Sequence, residues 1–214
     1  APTITITSPS AGAYITNTTP TIEFQVKDTD SGVNAGTIAV TVDGTAVSTV
    51  TKTAIDGGYK CTCTSPTLKD GSHTISVKAS DNDGNAAAAK TATFTVDTVP
   101  PTLQITAPSN DLITNKKTVT VSGKTDDVSS KPVTVTVNGA TVTVGTDGTF
   151  TKEVTLVEGA NTITIVAKDK AGKTTTVTRK VTVDTSAPVI KSITLTPNPV
   201  DCGKTFIIAV EITD

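Results

Sequence analysis

The sequence predicts an all-β protein built from tandem antiparallel sandwiches, and three observations carry that prediction. Apolar and polar residues alternate with period two in "TISVKAS" (74–80), "KTVTVSGK" (117–124), "PVTVTVNG" (132–139) and "TITIVAK" (162–168). Successive side chains of a strand point to opposite faces, so one face carries Ile and Val and the other Thr, Ser and Lys. Long phrases also recur. "VDTVPPTLQITAP" (Val96 to Pro108) returns as "VDTSAPVIKSITLTP" (Val183 to Pro197), and the chain opens on its second half, "APTITITSP". Finally, composition favours several small cores over one large one: aromatics are 3% of the chain and there is no Trp or Met. The abundant Thr and Val are β-branched and favour the extended chain.

Taken along the chain, the opening phrase is a first strand. "VTVDGTAV" predicts a hairpin at Asp43-Gly44, matched by "VTVNGATV" at Asn138-Gly139, because both dipeptides accept the positive φ of a type I′ turn. "YKCTCTS" alternates with Tyr59, Cys61 and Cys63 on one face. Cysteines two apart on a strand are poorly placed for a disulfide, so both are read as small core residues. Cys202 falls in the turn-like "NPVDCGK". "DGSHTISVKASDNDGN" from Asp70 aligns without a gap on "EGANTITIVAKDKAGK" from Glu158. Further turns are expected at Asp70-Gly71 and Asp147-Gly148. The extra residues of the first copy lie between Gly44 and Asp70. "NAAAAK" (85–90) is too short for a helix.

About seven short strands per copy of roughly 85–100 residues indicate Greek-key sandwiches of immunoglobulin type. The expected units are two Ig-like β-sandwiches, 1–99 and 100–187, and the start of a third, 188–214. Each Val-Asp-Thr closes one unit, and Pro100, Pro101 or Pro188 stiffens the short junction, giving a rod. The last two strands cannot close a sandwich alone. Either they are truncated or they add to a neighbouring domain or chain.

"VDTVPPTLQITAP", "VTVNGATV" and "GTFTKEVTLVEGANTITIVAKDKAGK" resemble tandem bacterial immunoglobulin-like modules, over Pro101 to Asp184 and more loosely over Pro2 to Asp97. Such modules occur on surface adhesins, beside extracellular glycosidases and on phage virions. "KSITLTPNPVDCGKTFIIAVEITD" is similar to a segment of tail-associated phage proteins. The resemblance implies a non-catalytic structural or interaction module, extracellular, on a phage tail or a bacterial cell surface. It would act as a spacer and weak multivalent adhesin, with protein neighbours and cell-surface glycans as partners. The alternative is an ancillary carbohydrate-adhering module of an extracellular enzyme or adhesin.

Several functions are disfavoured. The formal net charge is −2 and no basic stripe is present, which argues against nucleic acid. No apolar run approaches the roughly 18–20 residues of a membrane span. Without an initiator Met or signal peptide, the chain reads as a mature product or an excised piece. Catalysis lacks its usual parts: one His, no nucleophile elbow, no phosphate loop. His73, at the place of Asn161 in the second copy, is expected to be a polar surface residue. An isopeptide bond is disfavoured because lysines such as Lys78 and Lys168 alternate onto the polar face. Tyr14, matched by Leu112, is expected to plug a sandwich end, and Tyr59, matched by Phe150, to face the core.

The metal candidates are Asp28 and Asp30 in "DTDSG" and Asp81 and Asp83 in "DNDGN". D-x-D supplies the alternating oxygens of a calcium loop, although Gly32 and Gly84 come too early for an EF-hand. The second copy keeps only Asp169 in "DKAGK". The competing reading is a turn in which Asp and Asn bond local backbone. Calcium at these loops, or at the junction with Asp97, is the one cofactor left open.

Overall fold

The computed structural model describes residues 1–196, 202–203, 205 and 207–213. The first repeat comprises β1 (Thr3–Ser8), β2 (Tyr14–Ile15), β3 (Thr21–Lys27), β4 (Val33–Val42), β5 (Thr45–Ala46), β6 (Thr51–Ile55), β7 (Gly58–Thr64), β8 (Gly71–Asp81) and β9 (Lys90–Val96). They form two facing sheets, ordered β1-β3-β7-β6 and β2-β9-β8-β4-β5. The second repeat comprises β10 (Thr102–Ala107), β11 (Leu112–Thr114), β12 (Thr118–Asp126), β13 (Thr134–Val137), β14 (Ala140–Val142), β15 (Thr149–Thr155), β16 (Gly159–Lys168) and β17 (Thr174–Val183). Its sheets are β10-β12-β15 and β11-β17-β16-β13-β14.

Alternation does what the sequence requires. Ile22, Phe24 and Val26 of β3 and Ile75, Val77 and Ala79 of β8 point into the first core, with Phe94 and Val96 of β9. Val121, Val135, Val137, Phe150, Ile163, Ile165, Val181 and Val183 fill the second. Cys61 and Cys63 are buried in the first core, while Cys202 is exposed in a turn. Lys78 and Lys168 are exposed. The hairpin turns have positive φ at both central residues: 50° and 80° at Asp43-Gly44, 47° and 80° at Asn138-Gly139.

The strand count exceeds about seven per copy. The extra residues of the first repeat build β6, which folds back on β7 through Asp56-Gly57. Each repeat also has a short parallel strand that period-two reading does not reveal. After β1 leaves its sheet, the chain crosses over and Tyr14 and Ile15 pair in parallel with Thr95 and Val96. Leu112–Thr114 do the same with Val181–Val183. A two- or three-residue strand is too short to alternate visibly.

β18 (Val189–Thr196) and β19 (Ile207–Thr213) form a separate antiparallel pair with every described residue exposed. Most of "NPVDCGK", residues 198–201 and 204, lies outside the described residues. The described residues contain no helix long and apolar enough to cross a membrane.

Candidate functional site at the repeat junction

Val-Asp-Thr is a docking device. After β9 the Asp97 N–H donates to the Ile15 carbonyl at 2.8 Å, and Asp97 Oδ1 accepts from Val99 N–H at 3.1 Å. Thr98 then donates its N–H and hydroxyl to the two oxygens of Asp70, at 3.0 and 2.9 Å. The second copy repeats every bond. Asp184 N–H donates to Thr114 O at 2.9 Å, and Ser186 N–H to Asp184 Oδ1 at 3.0 Å. Thr185 donates to both Glu158 oxygens at 2.9 and 2.7 Å. Bonds to an ionised acceptor are stronger than neutral ones. They hold the Glu158 carboxyl below the usual range, through the Thr185 N–H first and its hydroxyl second.

Two acidic loops at the same end of each repeat are also built alike. Asp28 follows β3, and its Oδ1 accepts from the N–H groups of Asp30 and Ser31, both at 3.1 Å. Asp127 follows β12, and its Oδ1 accepts from Ser129 and Ser130 at 2.8 and 2.7 Å. Asp81 ends β8 and accepts from Asn85 N–H at 2.8 Å; Asp169 follows β16 and accepts from Lys173 N–H at 2.8 Å. Each is an Asp turn, fixed by short-range backbone bonds.

What lies between the paired carboxylates differs. In the first repeat the ammonium of Ala1 sits 3.4 Å from Asp28 Oδ2 and 3.0 Å from Asp81 Oδ2. The Asn85 amide and that ammonium bring Asp81 down to about 2. Burial alone would raise Asp28, but the Asp30 N–H and the ammonium outweigh it and lower it. The ammonium in turn is raised above 8.0 by its bond to Asp81. In the second repeat Asp127 and Asp169 are joined by Asp97, arriving from the first repeat. One carboxylate oxygen from each lies within 4.8 Å of the others. All three residues are buried, at 1% (Asp97), 6% (Asp127) and 5% (Asp169) exposure. Two charges that far apart repel by about 3 kcal/mol at an effective dielectric of about 20. Ser130 Oγ, fully buried, donates to Asp97 Oδ2. Across the same junction the Lys170 ammonium lies 5.2 Å above the Tyr14 ring.

The sequence-derived candidates divide accordingly. Asp28 and Asp81 come together through the Ala1 ammonium, whereas Asp30 and Asp83 are exposed. Asp127 and Asp169 carry no ligand motif in the sequence, because the second copy lacks D-x-D; the working carboxylate is the first Asp of each loop. Tyr14 is half-buried beneath Lys170 and stands outside the core, while Leu112 packs on the second core. His73 is not a free surface residue. Its side chain is 11% exposed, with Nδ1 2.6 Å from Asp43 Oδ2 and Nε2 2.7 Å from Lys69 O. Asn161 makes the corresponding bond to Val157 O at 2.8 Å. Tyr59 packs at the edge of the first core, but Phe150 takes the place of Cys61, as the strand register shows: Cys61 faces Phe24 and Phe150 faces Gly123.

Comparison with known proteins places these features. Residues 2–77 match the family profile described as a bacterial Ig domain, and residues 101–185 that of glucodextranase domain B. The chain is 30% identical over 188 residues to Bacillopeptidase F of Bacillus subtilis (strain 168), covering 88% of this chain but 12% of that protein. Among solved structures it is similar to the fibronectin(III)-like modules of Clostridium thermocellum CbhA. The TM-score is 0.50 at 21% identity, over 85% of this chain and 94% of that one. It is also similar to titin domains I67–I69, with TM-score 0.51 at 14% identity, over 89% and 68%. These structural likenesses concern the fold. The two profiles, lying on the two paired sandwiches, show that the chain is a tandem of bacterial immunoglobulin-like domains.

Proposed function

We propose that the chain is a non-catalytic extracellular spacer, an accessory segment that holds apart the working parts of a longer bacterial protein. The observation that carries this is the tied-down linker: Thr98 on Asp70 and Thr185 on Glu158 fasten each outgoing linker to the repeat it leaves, through the same bonds. A short, hydrogen-bonded, proline-bearing linker transmits force and orientation in a way a loose linker does not. The likeness to Bacillopeptidase F and to a glucodextranase domain supports a place beside a hydrolase. A virion or cell-surface rod is the second reading, favoured by the resemblance of residues 191–214 to tail-associated segments.

Carbohydrate adhesion is the weaker role for this chain. Sugar-binding sandwiches present an aromatic platform. Here Phe24, Phe94 and Phe150 are buried and Tyr14 and Tyr59 are half-buried, so none of the described aromatics is fully exposed. A glycan array and sedimentation with insoluble glucans test the point. The spacer reading expects the chain to stay in the supernatant and to give no array signal. Specific retention would overturn it in favour of the adhesive alternative.

A further inference from the structure

The two acidic pockets differ in one respect. Between Asp28 and Asp81 stands a cation, the Ala1 ammonium at 3.4 and 3.0 Å. Among the described residues, no lysine, arginine or histidine forms an ion pair with Asp97, Asp127 or Asp169. In all three, Oδ1 is tied to backbone N–H groups of its own segment, leaving Oδ2 for other work. Asp169 Oδ2 is buried and has no hydrogen-bond partner among the described residues. A buried, unpartnered carboxylate oxygen beside two further carboxylates is a costly arrangement without a counter-charge.

We propose that Asp97, Asp127 and Asp169 bind one calcium ion at the junction between the repeats. Every donor is oxygen: three carboxylates and the hydroxyl of Ser130, which touches Asp97. Such a set selects a hard cation over zinc or copper. The donors come from a linker and two irregular loops, which suits the variable geometry of calcium better than the strict octahedron of magnesium. A divalent ion also reduces the local charge from −3 to −1. Asp97 belongs to the first repeat, and Asp127 and Asp169 to the second, so the ion would cross-link the junction and set its angle.

The test is calorimetric titration of calcium chloride into the chelator-treated chain, with melting curves in the presence and absence of calcium. Variants are Asp169→Asn, Asp127→Asn and, as a control, Asp83→Asn. The expected result is one calcium per chain and a melting temperature raised by about 4 °C or more in wild type and Asp83→Asn. The shift is lost in Asp169→Asn and Asp127→Asn, whose calcium-free forms melt no lower than wild type because a buried repulsion has been removed. No heat and no shift in wild type at millimolar calcium would overturn the proposal. So would an undiminished shift in Asp169→Asn, or an equal response to magnesium. The wild-type titration decides even if a variant fails to fold. Glycan retention, which would defeat the spacer reading, leaves this site standing, and absence of calcium binding leaves the spacer reading standing.

Discussion

Gly123 lies directly opposite Phe150 in the second repeat, and the aromatic ring fills the space a side chain at 123 would need. A Cβ there would stand 2.8 Å from Phe150 Cζ and 2.5 Å from the Gln104 carbonyl oxygen. In the first repeat the same cross-strand pair is Phe24 and Cys61, with large and small exchanged between strands. Gly123→Ala is therefore expected to destabilise the second repeat by about 2–4 kcal/mol, since a backbone carbonyl must move. Denaturant unfolding, followed through the second repeat's transition, measures this; an unchanged midpoint would contradict the packing described.

That exchange also marks a limit of sequence reading. Alternation and the Asp43-Gly44 and Asn138-Gly139 hairpins were legible because strands and type I′ turns leave short-range signatures. The pairing of Phe150 with Cys61's position was not, because aligning aromatic on aromatic assumes that size is kept at a position. Two strands facing each other conserve summed volume instead. The junction cluster was hidden for a similar reason. Asp97, Asp127 and Asp169 come from three distant segments, and no local motif records their meeting. The conspicuous D-x-D pairs drew notice to Asp30 and Asp83, which face solvent.

His73 and Asp43 should give the first repeat a pH dependence. Burial lowers the imidazole, but the Asp43 carboxylate and the Lys69 carbonyl outweigh it and raise it above 6.5. Asp43 is lowered below 3.8, its burial outweighed by His73 and the Thr74 N–H. The histidine contribution is thus complete below pH 6.5 and is lost as pH rises through the higher folded value. The aspartate contribution is present above pH 3.8 and is lost on acidification. For a partly exposed pair the effect is up to about 1 kcal/mol. His73→Asn, the residue found at 161, should flatten the alkaline limb of a stability-versus-pH curve.

Thiol labelling should divide the cysteines. Cys202 is exposed and should react at once, while Cys61 and Cys63 are buried. Burial raises the Cys61 thiol, and burial with its neighbour raises Cys63 to about 11. Since the thiolate is the reactive form, one thiol of three should label in the native chain and all three after unfolding. Rapid labelling of two or more without denaturant would contradict the first core.

Removing the carboxylate under Thr98 should loosen the junction. Asp70→Ala deletes two charge-assisted bonds and should cost about 1–3 kcal/mol locally. Limited proteolysis between Val96 and Pro101 should become faster, with both cores intact.

The most direct measurement of the account is the alignment of the two repeats in solution, by residual dipolar couplings in millimolar calcium. A docked junction predicts one common alignment tensor for residues 3–96 and 102–183, splitting into two in Asp70→Ala combined with Asp169→Asn. Two unequal tensors in the wild-type chain would mean that the repeats move independently, and the spacer would be a flexible tether.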